Sequence, residues 1–147
     1  MYREVGKAIT GMVIRGAPDI GFAAAIGAAL GVLHSRAKTI DELRAEFGEI
    51  CAALAKTRPT AVDLFWALDR MKRKFAELSV SSAPLDEIKR AMVEEAKLVH
   101  LEKKATDQAI GEFGAEFMPR EGQVMTQCNA GALATGCTLT MDWHEDL

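Results

Sequence analysis

The first part of the chain alternates apolar helical stripes with short polar turns. Apolar residues recur at helical spacing over residues 5–13, and the pattern stops at the turn of residues 15–18. A second helix is predicted to begin near Pro18, because the missing N–H of proline is tolerated in a first helical turn. Residues 20–33 are rich in alanine and glycine and fall short of the roughly 20 residues that span a bilayer, so they predict a buried helix.

Three further helices are predicted from the same spacing. The third begins at Asp41 and ends before Arg58-Pro59, because a residue that precedes proline disfavours helical backbone. Thr60 is the predicted N-cap of the fourth helix, whose Phe65 and Trp66 are assigned to the core. The fifth helix is the longest, over residues 84–117, with its apolar stripe at Ile88, Met92, Ala96, Val99 and Ile110.

After residue 119 the pattern changes from helix to strand. Residues 123–128 are typical of a short β-strand that enters the turn Asn129-Ala130-Gly131. One strand cannot form a stable sheet, because its backbone N–H and C=O groups lack ladder partners. The predicted fold is therefore mainly α, with a helical domain at residues 1–120. Residues 121–147 are predicted to be the first strand and turn of a truncated Rossmann-like α/β domain.

Composition and charge narrow the class of protein. The 147 residues are 49% hydrophobic and 27% charged, as in a soluble globular protein. A net charge of -3 gives no general attraction to nucleic acid or anionic lipid, so neither is an expected partner. The N-terminus shows no secretory signal, which predicts a cytoplasmic location. Three cysteines without a CxxC pair and three scattered histidines predict neither a disulfide framework nor a metal site.

Two basic helix starts are candidates for anion binding. In Arg15-Gly16-Ala17 a cation precedes small residues at a helix start, where N–H groups and the positive end of the helix dipole can hold phosphate. Arg58 has a similar place before the fourth helix. From local pattern alone each is more often a structural turn with an exposed arginine, and Asp19 in the first helical turn repels a phosphate.

The third candidate is Cys128, where the predicted strand gives way to a helix. The positive end of that helix favours the thiolate, which suits acid–base or nucleophilic chemistry. A lone cysteine is more often a small buried apolar residue. Cys51, on a helical apolar stripe, is predicted to be one.

In their order along the chain and in their residues, these segments resemble the methylthioribose-1-phosphate isomerase family. The matching stretches are residues 12–18 (MVIRGAP), 57–71 (TRPTAVDLFWALDRM) and 126–135 (TQCNAGALAT). The resemblance extends from about Glu4 to Gly136, and members of the family begin before Met1 and continue beyond Leu147.

The resemblance implies a site for a sugar phosphate. Arg15, Gly16, Ala17 and Arg58 match the substrate contacts of the family, and Cys128 matches its catalytic cysteine. In the family this cysteine works with an aspartate on a later strand to convert an aldose 1-phosphate to a ketose 1-phosphate, without metal or organic cofactor. That aspartate has no counterpart in this chain, so the chain alone is expected to be weakly active or inactive. A homo-oligomer is left open.

Some positions depart from the family pattern, and other functions are left open. Asp19, Asp63, Lys103 and Lys104 differ from the usual residues, and residues 137–147 do not follow the family. One alternative is a non-catalytic regulatory module, because the family is similar in fold to the regulatory subunits of translation initiation factor two B. Ribose-1,5-bisphosphate isomerase, which shares the general plan, is a second. A chain without function, which self-associates through exposed apolar surface, is a third.

Overall fold

The computed structural model describes residues 1–81, 83–119, 121–123, 125 and 127, and five α-helices make up most of this part of the chain. Its fold is mainly helical, as the apolar spacing predicts. In chain order the helices are α1 (Tyr2–Thr10), α2 (Ala17–Leu33), α3 (Ile40–Ala55), α4 (Val62–Val80) and α5 (Leu85–Ala115).

α2 is the central helix and packs against the other four. Most of its residues between 20 and 32 are buried, because it is apolar all round. Small residues let the neighbouring helices approach closely: a Cβ added to Gly27 would lie 3.2 Å from Cγ1 of Val5. The prediction of a buried helix here is confirmed. Among the residues described, none of the helices combines the length and apolar character that a membrane-spanning segment requires.

α5 runs antiparallel to α4, as one ion pair and one charge interaction between them indicate. Arg70 of α4 forms an ion pair with Glu102 of α5. Asp63, nearer the start of α4, lies close enough to Asp107, further along α5, to act on its charge. The start of α4 therefore lies near Asp107, and residues 108–115 of α5 follow after it.

Two helix starts differ from the prediction. α3 is capped by Thr39 rather than opened by Asp41: the Thr39 hydroxyl oxygen accepts a hydrogen bond from the Glu42 N–H at 3.2 Å. The N-cap of α4 is Ala61, and the predicted cap, Thr60, is exposed one residue earlier. In both cases the path of the backbone places a neighbouring residue at the cap.

The predicted strand at residues 123–128 is not shown. Positions 121–123, 125 and 127 are described without strand, and residues 124, 126 and 128–147 lie outside the described residues. The Rossmann-like domain and the boundary near residue 120 therefore stay predictions.

Candidate functional site

The first candidate segment forms the start of α2. Gly16 is its N-cap, with φ of 95° and ψ of 136°, a backbone conformation that glycine adopts without strain. Ala17 and Pro18 begin the helix, and the Ile20 N–H donates to the Gly16 carbonyl at 3.1 Å. Arg15 is exposed just before the cap. The first N–H groups of a helix have no acceptor within it, and Gly16 has no side chain to cap them, so this start suits an anion.

The second candidate segment is a tight turn between α3 and α4. The Ala61 N–H donates to the Arg58 carbonyl at 3.1 Å, which places the half-buried Arg58 directly before α4. The Ala61 cap makes no side-chain hydrogen bond to the first turn of the helix. This segment thus repeats the arrangement at α2: an arginine, a turn, and a helix start without a side-chain cap.

The two helix starts lie side by side. A Cβ added to Gly21 would be 2.9 Å from the carbonyl oxygen of Asp63, closer than such contacts occur, so the second turn of α2 meets the first turn of α4 backbone to backbone. The segments that carry Arg15 and Arg58 therefore lie at the same end of the helical bundle. Because both helices point their positive ends there, they favour a negatively charged ligand together more than either does alone.

α5 adds a carboxyl to this end that sequence reasoning missed. Asp107 is 5% exposed, and its Oδ2 atom has no hydrogen-bond partner among the described residues. Burial raises the pKa of this carboxyl; Lys103 lowers the pKa and Asp63 raises it. The sequence does contain a signal for the burial of Asp107: the residue lies eight positions after Val99, on the buried stripe of α5. Any anion bound here must be held against the negative charge of nearby carboxylates.

An ion-pair network joins the middle of α4 to α5. Arg70 donates from Nε to Glu95 at 2.6 Å and from Nη2 to Glu102 at 3.0 Å, and its guanidinium carbon lies 5.8 Å from the centre of the Trp66 ring. The hydrogen bonds to Glu102 raise the pKa of Arg70, and the same contact lowers the pKa of Glu102. We assign this network a structural role, because it ties the middle of α4 to α5.

The aromatic pair at the start of α4 is not core, contrary to the prediction. Phe65 is 39% exposed and Trp66 is 44% exposed. The guanidinium of Arg70 lies over the Trp66 ring. The buried face of α4 consists of Leu64, Ala67, Leu68, Met71 and Phe75.

The structure places one of the two cysteines discussed above. Cys51 is 3% exposed in α3, as predicted, and burial raises the pKa of its thiol to about 11, so it is protonated at neutral pH. Cys128 lies outside the described residues, so its position relative to Arg15 and Arg58 stays a prediction. Within the described part of the chain, no group of three or more His, Cys, Asp or Glu side chains could hold a metal ion.

Comparison with known proteins identifies the family to which this chain belongs. Residues 13–143 match the Initiation factor 2 subunit family, and the chain is a member of that family. The matched residues include both helix starts described above.

Particular relatives are isomerases and an initiation factor subunit. The chain is 58% identical to methylthioribose-1-phosphate isomerase of Koribacter versatilis over 134 residues, which are 91% of this chain and 37% of that protein. A crystal structure of 5-methylthioribose 1-phosphate isomerase from Pyrococcus horikoshii matches with a TM-score of 0.82 and 48% identity, over 91% of this chain and 37% of that one. The translation initiation factor eIF-2B subunit delta from A. fulgidus matches with a TM-score of 0.75 and 34% identity, over 91% and 38%. The similarity covers the N-terminal part of the relatives, so this chain spans little more than a third of their length.

Proposed function

We propose that this chain carries the phosphate-binding part of a methylthioribose-1-phosphate isomerase of methionine salvage, acting in the cytoplasm. The observation that supports this most directly is the close approach of Gly21 to Asp63, which brings two basic helix starts to one end of the bundle. The similarity to isomerases of K. versatilis and P. horikoshii supports the same reaction. The chain spans 37% of the length of the K. versatilis protein, and we propose that alone it turns over substrate slowly or not at all.

The proposed ligand is a sugar 1-phosphate at the starts of α2 and α4. Its phosphate oxygens accept hydrogen bonds from the backbone at Gly16 and Ala17 and from the guanidinium of Arg15, and Arg58 supplies a second positive charge. Cys128 is proposed as the acid–base catalyst, in partnership with the later aspartate that the resemblance implies. Aldose–ketose isomerisation moves a proton between adjacent carbons and leaves the overall oxidation state unchanged, so the proposal includes no cofactor or metal.

Calorimetric titration with 5-methylthioribose 1-phosphate and with inorganic phosphate tests the binding site. Arg15→Ala and Arg58→Ala are each expected to weaken sugar-phosphate binding about ten- to a hundredfold, since a hydrogen bond to a charged group contributes about 1.5–3 kcal/mol. Arg36→Ala is the matched control, because Arg36 is exposed beyond the opposite end of α2. Equal affinity in all three variants would contradict the proposed site.

A coupled assay on the purified 147-residue chain tests the proposed level of activity. We expect turnover far below that of a complete relative such as the K. versatilis enzyme. Turnover close to that of the relative, abolished by Cys128→Ala, would show that this chain alone is a competent isomerase and would refute the expectation.

A non-catalytic binding module is the second candidate function. The similarity to the eIF-2B subunit delta of A. fulgidus favours it, and so do Asp63 and Asp107, because negative charge near the helix starts opposes a phosphate. Sugar-phosphate binding without turnover, even when the downstream part of an isomerase is supplied, would favour this candidate. Titration with ribose 1,5-bisphosphate beside the methylthioribose compound separates the two isomerase activities.

A further inference from the structure

A groove runs between α3 and α4, which we call the α3–α4 groove. Its volume is about 510 Å³, within the range of small-molecule sites in proteins. Small residues of both helices line it, among them Gly48, Ala52 and Ala76. A Cβ added to Gly48 would have no packing neighbour within 4 Å among the described residues. The groove is therefore open to a ligand along the backbone of α3.

The floor of the α3–α4 groove is apolar. The rings of Phe47 and Phe75 stack there with their centres 4.6 Å apart, and both residues are 4% exposed. The buried Cys51 lines the same floor one helical turn after Phe47. This floor suits the apolar part of a ligand, because ligand sites combine apolar walls with a few polar groups.

Two cations border the floor. Burial raises the pKa of the Cys51 thiol, and the charge of Lys72 opposes that rise, so Lys72 lies beside Cys51. Arg44 precedes Cys51 by seven residues of α3, which is about 10 Å at about 1.5 Å per residue. Among the described residues that line the groove, these two are the charged ones. The groove thus has a positive charge on each side of the stacked rings.

Both cations are paired weakly within the chain. Arg44 pairs with Asp41 at 2.5 Å, and Lys72 pairs with Asp69 at 3.2 Å, in each case within one turn of the same helix. All four side chains are more than half exposed, and surface pairs of this kind contribute little to stability. Each cation is therefore available to a carboxylate of a ligand.

The size of the groove favours a small molecule over a protein partner. A standard protein interface takes about 20–30 residues a side, whereas eleven residues line this groove. An extended chain advances about 3.5 Å for every three bonds, so a chain of about ten carbons covers the distance between the cations.

We propose that the α3–α4 groove binds an elongated organic dianion with an apolar middle. Its terminal carboxylates pair with Arg44 and Lys72, and its apolar middle lies over Phe47 and Phe75. This inference does not depend on turnover or on the proposed sugar-phosphate site.

Titration of the full 147-residue chain with decanedioate, followed by two-dimensional NMR, tests the proposal. We expect saturable shifts of the amide signals of residues 44–55 and 72–80. Decanoate has a single carboxylate and should bind about three- to fivefold more weakly, because one exposed ion pair is lost. Decanediol, which has the same length and no charge, should bind more weakly still.

Variants of the groove test the same proposal. Gly48→Leu fills the groove and should weaken decanedioate binding at least about tenfold, because the ligand is excluded from the apolar floor. Gly114→Leu in α5 is the matched control, because a Cβ there also has no neighbour within 4 Å, and it should leave binding unchanged. Neither variant should lower the melting temperature, since leucine is a better helix former than glycine. Arg44→Gln and Lys72→Gln should each weaken binding about three- to fivefold.

Several results would overturn the inference. They are the absence of saturable binding, equal affinity for decanedioate and decanediol, and saturable shifts confined to other helices. A folded Gly48→Leu variant that binds like the parent would overturn it as well. Should Gly48→Leu fail to fold, the two exposed cations decide, and parental affinity in both Arg44→Gln and Lys72→Gln would overturn the inference.

Discussion

The two halves of α5 follow one apolar pattern but have different surroundings. In the first half Ile88, Met92 and Val99 are at most 1% exposed. In the second half the same face holds the buried carboxyl of Asp107 and the exposed side chain of Ile110. α2 and α4 make the difference, because they pack against α5: the Phe22 ring of α2 lies 4.9 Å from the His100 ring, and Asp63 of α4 lies near Asp107. Helical spacing therefore identifies a face, and the neighbouring elements decide whether that face stabilises the fold or is available for binding.

Shortening a side chain in the first half of α5 is expected to have the largest effect. Met92 is fully buried, so Met92→Ala should lower the free energy of unfolding by about 2–5 kcal/mol. Ile110→Ala, in the second half, should change it by less than about 0.5 kcal/mol. Urea denaturation of both variants gives the two values. Equal losses of free energy of unfolding in the two variants would show that Ile110 is buried in solution. The two halves of α5 would then not differ in their surroundings.

A smaller loss is expected where α2 meets α4. Gly21→Ala places a methyl group 2.9 Å from a backbone oxygen that cannot easily move, and should cost about 1–3 kcal/mol. Gly48→Ala in α3 is the control: no heavy atom lies within 4 Å of the added Cβ, and the free energy of unfolding should increase by about 0.5–1 kcal/mol. Thermal melts followed by circular dichroism measure both changes. A Gly21→Ala variant as stable as the parent would mean that the helix starts are further apart than the structure has them.

The helices could be predicted from the sequence, whereas their exact starts could not. The apolar run of α2 and the spacing of α5 reflect burial over many residues, so the pattern is strong. A cap depends on the conformation of one residue. Thr39 and Asp41 are both suitable caps by type, and Ala61 is an unsuitable one that the backbone nevertheless places at the start of α4.

The segments of the candidate site could be predicted from the sequence, whereas the way they come together could not. Arg15-Gly16-Ala17 and Arg58 were identifiable because each is a cation before a helix start. That the two starts meet depends on the absence of a side chain at Gly21, a packing detail without a local signal. Residue type favours a core position for Phe65 and Trp66, but the buried face of α4 consists of Leu64, Ala67, Leu68, Met71 and Phe75 and leaves both aromatic residues exposed.

Asp107 gives the most sensitive test of the difference between the halves, because it carries charge on a face that is apolar elsewhere. Burial raises the pKa of its carboxyl in the folded chain, so the folded state binds this proton more tightly than the unfolded state does. The contribution of Asp107 to stability therefore declines as the pH rises from about 3.9, the ordinary aspartate value, through the raised pKa. Asp107→Asn removes this decline and should increase the free energy of unfolding at neutral pH by about 1 kcal/mol.

The gain from Asp107→Asn should shrink as the pH is lowered, because the parental carboxyl is then protonated in both states. Urea denaturation of parent and variant at several pH values between acid and neutral isolates this group, since all other carboxylates are shared. Asp69→Asn is the control: Asp69 is exposed and pairs with Lys72 at 3.2 Å, so its removal should have little effect at any pH. A neutral-pH loss of stability in Asp107→Asn would mean that the carboxylate is paired in solution. A contact of this carboxylate would then hold the second half of α5 in place at this end of the bundle.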